Sequence, residues 1–339
     1  AFVRLYRSAD DPAMIRLTGF DHRAFRDLLS VYTPIHDCVC VGRDTGVIML
    51  KDPKKGGRRR NLDATASLAL LLAWTRTRGS NHLLCMVFGQ TLSPLNHWLK
   101  LGRRVMYRAL KADPRGRVAM PEAGKIEDFV SAIAAKYPVL GSKRVGFALD
   151  GLKLHVEKAG SEYEQAKYYN AWTHDHYVSN VFVFAPDGCI REMVLNAPGA
   201  MHDSTLMDVG GMYEKVQSLY SRFGVRCLVD SAFRVSAAPW LIKSAQNPDP
   251  NATPEEKELF REATAVRQLA EWGMGTFQRA FPRIKDRLRV CSQGDRRFMM
   301  EVIVRLNNMR ANLVGINQIR TTYMPHLRRT VDGRFTDHI

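Results

Sequence analysis

The sequence contains no long hydrophobic run. Its longest uninterrupted apolar stretch is the seven residues Leu68–Trp74, far below the ~20 residues that a helix needs to cross a bilayer. No secretory signal is recognisable in the first residues, and no internal repeat occurs along the chain. We therefore expect no membrane association. At 339 residues the chain exceeds one typical domain and is expected to form two or three.

Cysteines are few, and none of the six forms a CxxC pair. This usage is typical of reduced thiols in an intracellular protein. His36, Cys38 and Cys40 lie close in sequence, but a tetrahedral zinc site needs more ligands at suitable spacing. We therefore expect neither a disulfide framework nor a structural zinc site.

Acidic residues are scarce in one block of an otherwise balanced chain. The whole chain has a net charge of +16, and residues 51–120 hold 15 basic and 3 acidic side chains. Such a block predicts a module that contacts nucleic-acid phosphates, although a solvated basic face has the same composition. At its start, 51–61 forms a basic linker containing Arg58, Arg59 and Arg60. This linker fits a nuclear import signal, a DNA-backbone contact or a solvated loop.

The rest of the basic block has a helix-turn-helix pattern. Helices are predicted at 64–75 and 81–88, with Gly89 as the turn, and a third begins at Ser93-Pro94 and ends near Lys111. Its basic side chains share one face: His97, Lys100, Arg104, Arg108 and Lys111. As a recognition helix it would place Asn96, His97 and Lys100 in a major groove. The alternative is an ordinary bundle helix with a solvated basic side.

Three carboxylates stand in distinctive contexts. Asp150 and Asp230 each end an apolar run that predicts a buried strand, and Glu271 lies in a segment that predicts a helix. Two strand-end aspartates and a helical glutamate suit a pair of Mg²⁺ ions about 4 Å apart, which activates water at a phosphodiester. Mg²⁺ prefers oxygen ligands, and clustered carboxylates repel one another without a cation. The spacing alone also allows three unrelated acids.

The surrounding motifs resemble a known family. KYYNAWTHDHYVSNVFVFAPDGCI and LNAPGAMHDSTL lie between the two aspartates, and AEWGMGTFQRAFPRIK and LNNMRANLVGINQI follow. In combination they are similar to the DDE transposase domain of the PIF/Harbinger superfamily over roughly 65–320. One departure is Gly273 and Gly275 after Glu271, which lower helix stability by ~1 kcal/mol each relative to alanine.

The resemblance implies an RNase H-like fold, dependence on two Mg²⁺ ions with Mn²⁺ as a substitute, and cleavage and joining of transposon ends. It implies that Asp150, Asp230 and Glu271 are the catalytic and metal-binding triad. It also implies a separate Myb-like DNA-binding partner protein. Because two DNA ends must be brought together, a homodimer or larger oligomer is expected on double-stranded DNA.

Other residues near these motifs are candidate contacts. His202 and Asp203 begin a helix, where Asp203 is expected to be the N-cap and, alternatively, a metal or substrate contact. Arg267 should share a helix face with Glu271. His174-Asp175-His176 is interpreted as a surface connection between strands. Downstream basic residues are candidates for lining a DNA groove: Arg279, Arg283, Lys285, Arg287 and Arg289.

The fold class that follows is an α/β RNase H-like core, a mixed sheet with flanking helices, preceded by an all-α helix-turn-helix region. Strands are predicted at 145–149, 153–156, 178–185, 190–195 and 226–229. A helix is predicted from 202 to about 223 with a break at Gly210-Gly211, and another over 298–314. The predicted regions are a helical segment at 1–50, the DNA-binding region at 51–120, the nuclease domain at 121–320 with an insertion at about 240–265, and a tail at 321–339.

Two functions fit these features. The first is a Mg²⁺-dependent DNA endonuclease and strand transferase, a transposase. The second is a domesticated DNA-binding regulator that keeps the fold without transposition. The intact set of three acids favours the first. Either function places the protein in the nucleus.

Overall fold

The computed structural model describes residues 1–41, 48–50, 60–230, 232–233, 238–244, 251–290, 292–325, 327–329 and 335–337. The helices in these ranges are α1 (Phe2–Arg7), α2 (Asp11–Thr18), α3 (His22–Cys38), α4 (Ala64–Arg76), α5 (His82–Phe88), α6 (Leu92–Ala112), α7 (Ala123–Ala134), α8 (Pro138–Ser142), α9 (Glu162–Tyr168), α10 (Asp203–Val209), α11 (Met212–Phe223), α12 (Pro254–Ala280), α13 (Gln293–Leu313) and α14 (Gln318–Tyr323). The strands are β1 (Val39–Val41), β2 (Ile48–Leu50), β3 (Val145–His155), β4 (Tyr169–Asn170), β5 (Asp175–Phe184), β6 (Ile190–Pro198), β7 (Arg226–Val229), β8 (Leu241–Lys243), β9 (Leu327–Arg329) and β10 (Phe335–Asp337).

The N-terminal region is helical. Helices α2, α3 and α4 each begin after an aspartate, Asp10, Asp21 and Asp63, whose side chain accepts a hydrogen bond from the third helical residue. The apolar run Leu68–Trp74 is buried in the middle of α4, which packs against α2, α3 and α6. The longest hydrophobic run of the sequence is therefore the centre of a helical layer. None of the described helices combines the length and hydropathy that crossing a membrane requires.

The predicted helix order of the basic block is present. Helix α5 ends at Phe88 and is followed by its C-cap Gly89, whose φ of +61° is the left-handed conformation that glycine adopts at low cost. Helix α6 begins at Leu92 with Thr91 at its N-cap, so the predicted start, with Ser93 as the N-cap and Pro94 as the first helical residue, was wrong by two residues. Helix α6 packs against α3, α4 and α13, and it therefore joins the helical layer to the rest of the molecule.

The central sheet is mixed. Its order is β4-β5-β3-β7-β8, with β6 also pairing with β5. Strands β3, β5 and β6 are antiparallel neighbours, whereas β3, β7 and β8 run parallel. Helices α7 and α12 pack on β3, and α10 and α11 lie against β5, β6 and β7. This mixed sheet with flanking helices is consistent with an α/β nuclease core.

Strand β3 differs from the prediction. We expected two strands separated at Asp150-Gly151-Leu152, but β3 is one strand of 11 residues. The reason is the neighbouring strand: Phe182 and Val181 of β5 pair with Asp150 and Gly151 of β3, and the pairing is not interrupted there. Pairing to a long neighbour thus overrides the weak strand preference of Asp and Gly.

Helix α12 also differs from the prediction. Thr253 and Glu256 form a capping box at its start, and the helix continues for 27 residues through Glu271 to Ala280. The helical part of the predicted insertion and the Glu271 helix are therefore the same element. The two glycines after Glu271 do not break it, and a Cβ at Gly273 would lie 2.5 Å from the Phe184 ring. Glycine at 273 lets α12 approach β5 closely.

Candidate active site

Asp150 lies in the middle of β3, immediately after the buried residues 145–149. Because it is directly opposite Phe182 in the antiparallel register, both side chains point to the same face of the sheet. Phe182 contacts Phe277 of α12, with ring centroids 5.6 Å apart. Asp150 therefore points to the face that α12 covers.

Asp230 follows β7 directly. Strands β3 and β7 are parallel with Ala148 opposite Leu228, so Asp150 and Asp230 each lie two residues further along neighbouring strands, which are about 4.8 Å apart. The Asp230 carboxylate accepts a hydrogen bond from the backbone N–H of Ala232. The parallel register thus brings two predicted site residues to the same level of the sheet.

The electrostatics of Asp150 are unusual for an aspartate. Burial is the main cause that raises its pKa to about 6, and the charges of Asp230 and Asp203 raise it further. A 2.7 Å hydrogen bond from the Gly151 N–H to Oδ1 and the positive charge of Arg267 oppose the rise in pKa. A carboxyl group in these surroundings is stabilised by a bound proton or by a cation.

Asp203 approaches the two aspartates from α10. The expected N-cap role of Asp203 was wrong: His202 is the N-cap residue and its ring accepts a hydrogen bond from the N–H of Ser204. The Asp203 carboxylate instead lies against the backbone of β3, where a Cβ on Gly151 would be 3.3 Å from Oδ2. Burial raises the pKa of Asp203, and Asp230 adds to the rise.

Glu271 is paired with a basic neighbour on its own helix. Its side chain on α12 is 45% exposed and pairs with Arg267 at 2.6 Å, which agrees with the predicted shared face. Within the ranges that the structure describes, no three His, Cys, Asp or Glu side chains lie together as ligands of one metal ion. The sequence motifs identified Asp203 but could not reveal its contact with Gly151, because that contact depends on how α10 packs on the sheet.

The donor set still fits a divalent cation. Mg²⁺ is usually held by one or two carboxylates, with water and substrate phosphate completing its shell. Asp150 and Asp230 supply two carboxylates. Burial and the charge of Asp230 raise the pKa of Asp150, and a cation would offset that repulsion. The described geometry therefore suits one ion at Asp150 and Asp230, and Glu271 would have to leave Arg267 to bind a second.

A basic groove runs between the helical layer and the segment after α12. It consists of two adjoining cavities of about 590 and 490 Å³ that share Arg283, Asp286 and Arg287. Eight of the lining residues are basic and three are acidic. The basic ones are Arg78, Lys100, Arg103, Arg283, Lys285, Arg287, Arg289 and Arg296. This excess of positive charge suits a nucleic-acid backbone.

The site lies in a segment that matches a known family. Residues 149–308 match the family model described as DDE superfamily endonuclease. This match supports a DDE transposase-like nuclease. It includes Asp150, Asp230 and Glu271, and it begins after the helical N-terminal region. No curated protein and no solved structure matches the chain.

The segment that matches the DDE endonuclease model, residues 149–308 (the DDE segment), and the helical layer both contribute predicted DNA contacts to the groove. Asn96 and Lys100 of α6 line it together with Arg283 and Lys285. Asn96, His97, Lys100 and Arg108 are exposed. The α5–α6 pair and the DDE segment thus meet at one surface, although base reading by α6 stays a prediction.

Several predicted basic contacts are engaged in holding the fold together. Arg60 donates to the backbone oxygens of His36 and Val39 at the end of α3. Arg283 donates to the oxygens of Thr77 and Gly79, at 3.3 and 2.8 Å. Both guanidiniums donate N–H groups to backbone carbonyls, so fewer of their donors are free to bind a phosphate.

The remaining predicted contacts are less constrained. Arg104 packs over the Phe298 ring at 5.7 Å. Arg279 is exposed above Gly275, and Lys285 is exposed in the groove. Arg58 and Arg59 lie outside the described residues.

The predicted surface segment His174-Asp175-His176 is only partly at the surface. His176 is 4% exposed, so its assignment to the surface was wrong. Asp175 begins β5 and binds His155 and Arg287, which both line the groove. Hydrogen bonds from the His176 backbone N–H, from Arg287 and from His155 lower the pKa of Asp175 to about 2. His155 and Arg78 of the groove were not singled out from the sequence, because neither lies in a recognisable motif.

Proposed function

We propose that this protein is a divalent-metal-dependent DNA endonuclease and strand transferase, a transposase of the PIF/Harbinger type. One observation carries the proposal: Asp150 and Asp230 stand side by side on parallel strands of a DDE-family segment, and their repulsion helps raise the pKa of Asp150. Repulsion between partly buried acids is a cost that a metal site explains better than a structural role does.

The residues have distinct roles in this proposal. Asp150 and Asp230 would hold Mg²⁺, or Mn²⁺ in its place, and Glu271 would complete a second position. A bound pair of ions supplies a nucleophilic water and stabilises the leaving oxygen of a phosphodiester. Arg267 balances the acidic charge while the metal is absent, and Asp203 orients the site from the other side of β3.

The substrate in this proposal is double-stranded DNA that carries transposon ends. The basic groove would hold the backbone, while Asn96 and His97 at the exposed start of α6 would contact bases. A homo-oligomer on two DNA ends, a Myb-like partner protein and a nuclear location complete the proposal. These three rest on the family resemblance and the basic charge.

A cleavage assay tests the proposal. The full chain is incubated with a duplex bearing its cognate end and with Mg²⁺, Mn²⁺ or Ca²⁺. We expect nicking with Mg²⁺ and Mn²⁺ and none with Ca²⁺, whose looser coordination aligns an in-line attack poorly. Asp230→Asn should abolish nicking and keep DNA affinity. Asp208→Asn, at an exposed acid of α10, should change neither.

The same assay decides between transposase and regulator. Tight binding without nicking, on the cognate end with Mn²⁺ and the Myb-like partner present, would overturn the enzyme proposal in favour of a DNA-binding regulator. Nicking by Asp230→Asn at the wild-type rate would overturn the assignment of the site.

A further inference from the structure

Trp172 is the most exposed large apolar side chain in the described part of the chain, at 90%. It lies at the tip of the hairpin that joins β4 to β5, at the edge of the sheet. An indole left in water forgoes the burial that normally stabilises an aromatic side chain. Neither the fold nor the candidate active site uses this ring.

The hairpin tip is fixed by hydrogen bonds. The Asn170 side-chain oxygen accepts from the N–H and hydroxyl of Thr173, at 3.2 and 3.1 Å, and its amide donates to the Gly199 oxygen at 3.1 Å. The Tyr169 hydroxyl and the His174 ring are 3.3 Å apart, and His174 has a φ of +54°. Because the turn is constrained in this way, Trp172 is presented on a preorganised support.

The hairpin is tied to the basic groove. Arg287 donates to both carboxylate oxygens of Asp175, at 3.2 and 2.9 Å, and Asp175 lies three residues after Trp172. Arg287 and His155, the other side chain bound to Asp175, both line the 590 Å³ cavity. Lys285 of the same cavity has no acidic partner among the described side chains. The basic cavity therefore lies next to the hairpin that carries Trp172.

We propose that Trp172 stacks on an unpaired base of a DNA strand whose phosphate enters the basic cavity at Lys285 and Arg287. Grooves with positive charge and exposed aromatic rings bind single strands in this way, because every base offers a π-face and the backbone supplies the charge. A paired base is already stacked on its neighbours and does not need the ring. The inference rests on the proposed function, since it specifies the DNA substrate as partly unpaired.

A protein partner is the less favoured occupant of this tip. Interfaces between proteins centre on clusters of apolar side chains that exclude water. In the turn beside Trp172, Ala171 is small and Asn170, Thr173 and His174 are polar, and the adjoining cavity is positively charged. An exposed indole beside basic residues, with only the partly exposed Tyr169 near it in the hairpin, is better matched to a nucleotide.

The tip lies well away from the candidate active site. Strand β3 runs five residues from Asp150 to His155, which pairs with Tyr177, and β5 begins two residues further on. Seven strand residues span about 23 Å, and Trp172 precedes Asp175 by three residues. The stacked base would therefore lie several nucleotides away from the bond at the candidate active site.

Binding in EDTA, where no cleavage occurs, tests the inference independently of nuclease activity. The probes are a 12-nucleotide thymidine strand, a blunt duplex, and the same duplex with an unpaired 5′ extension of eight thymidines. Trp172→Ala should weaken binding of the strand and of the extended duplex by about tenfold and leave the blunt duplex unchanged. Trp172→Phe, which keeps a smaller ring, should lose less. Bound thymidine strand should quench the fluorescence of wild type, and this quenching should be absent in Trp172→Phe.

Tyr163→Ala provides the matched control. Tyr163 is also exposed, at 73%, but its ring packs on Lys167 at 4.0 Å, so its removal should leave all three affinities unchanged. Lys285→Ala should lower the log–log salt slope of strand binding by about 0.7, the value for one phosphate contact on a single strand, if a phosphate enters the cavity. Circular dichroism should be unchanged in all these variants.

The outcomes separate the inference from the proposed function. Equal binding of the thymidine strand by wild type and Trp172→Ala would overturn the stacking inference, even if the wild type cuts DNA. Equal DNA binding together with weaker self-association of Trp172→Ala in sedimentation would assign the tip to a protein interface and also overturn it. Tenfold weaker strand binding in a protein that never nicks DNA would support stacking while the nuclease proposal fails.

Discussion

Arg267 and Glu271 lie one turn apart on α12, and the guanidinium Nη2 is 2.6 Å from the carboxylate Oε1. The same guanidinium lowers the pKa of Asp150, so it acts on two of the three predicted triad acids. A cation bound at Asp150 must therefore overcome the charge of Arg267. The positive charge of Arg267 stabilises the ionised forms of Glu271 and Asp150 in the metal-free fold, and it should also weaken the binding of a cation.

Removing this charge should strengthen metal binding. We expect Arg267→Gln to raise the affinity for Mn²⁺ by about fivefold, or ~1 kcal/mol, a size typical of one charge acting at a partly exposed site. Isothermal titration calorimetry measures it. Arg261→Gln is the control, because Arg261 pairs with Glu258 on the exposed face of the same helix. Equal Mn²⁺ affinities in both variants would show that Arg267 does not act on the metal site.

The pKa of Asp150 predicts a pH dependence of stability in metal-free protein. Burial raises this pKa from 3.8 to about 6 in the folded state. Between these values the folded state binds more protons than the unfolded state, so the free energy of unfolding falls as pH rises, by roughly 3 kcal/mol in total. Below about pH 4 this contribution to stability is fully present, and above about pH 6 it is lost.

Urea unfolding in EDTA at several pH values between 4 and 7 measures this effect. Asp150→Asn cannot ionise, so it should lack this part of the pH dependence and become more stable relative to wild type as pH rises. Excess Mn²⁺ at pH 7 should stabilise the wild type and not Asp150→Asn. A stability difference between the two proteins that is constant over this range would contradict the assigned pKa.

The sequence alone predicted those elements whose signals are local. Strand β7 ends where the apolar run ends at Asp230, and α4 coincides with the longest apolar run. The predicted helix break at Gly210-Gly211 is confirmed, because α10 ends just before this glycine pair and α11 begins just after it. In each case neighbouring residues determine the structure, so no tertiary contact was needed to find it.

The sequence-based predictions were wrong where contacts with residues distant in sequence determine the local structure. Asp150-Gly151 was expected to interrupt a strand, but β5 pairs through it. The capping preference of Asp203 was outweighed by its contact with β3, and His202 took its place. The pairing of Glu271 with Arg267 was anticipated as a shared face. The role of Glu271 as the third acid of the triad stays a prediction, because sequence spacing does not determine which side chains a metal ion would bring together.

The two glycines of α12 should respond oppositely to alanine. A Cβ at Gly273 would lie 2.5 Å from the Phe184 ring, whereas one at Gly275 would meet only the end of the Arg279 side chain, at 3.5 Å. Gly273→Ala should therefore destabilise the fold by about 3 kcal/mol through overpacking. Gly275→Ala should stabilise it by up to about 1 kcal/mol, because alanine is the better helix former.

Thermal and urea unfolding of both variants test this contrast. Both substitutions replace glycine by alanine in the same helix, so the gain in helix propensity should be the same for both. A difference in stability between the two variants therefore reports their packing. Gly273→Ala with wild-type stability would show that α12 does not pack on β5 as described. Destabilisation by Gly275→Ala would contradict the open surroundings of that position.

The basic groove offers a pair of residues that separates folding from DNA binding. Arg283 is 17% exposed, donates to two backbone oxygens and packs over the Trp74 ring at 5.0 Å. Arg283→Ala should destabilise the fold by about 2 kcal/mol, because those carbonyls lose a charged donor. Lys285 is exposed, so Lys285→Ala should change stability by less than about 0.5 kcal/mol.

DNA affinity measured across a salt series should rank the groove residues differently. Lys285→Ala and Lys100→Ala should each weaken duplex binding and reduce the log–log salt slope by about 0.9, the value for one lost phosphate contact on duplex DNA. Their double variant should lose about twice that slope if both sides of the groove hold the same duplex. Lys136→Ala serves as the control, since Lys136 lies over Tyr323, outside the groove. If Lys100→Ala keeps the wild-type slope while Lys285→Ala does not, the DNA follows the DDE segment alone, and the role predicted for α6 is wrong.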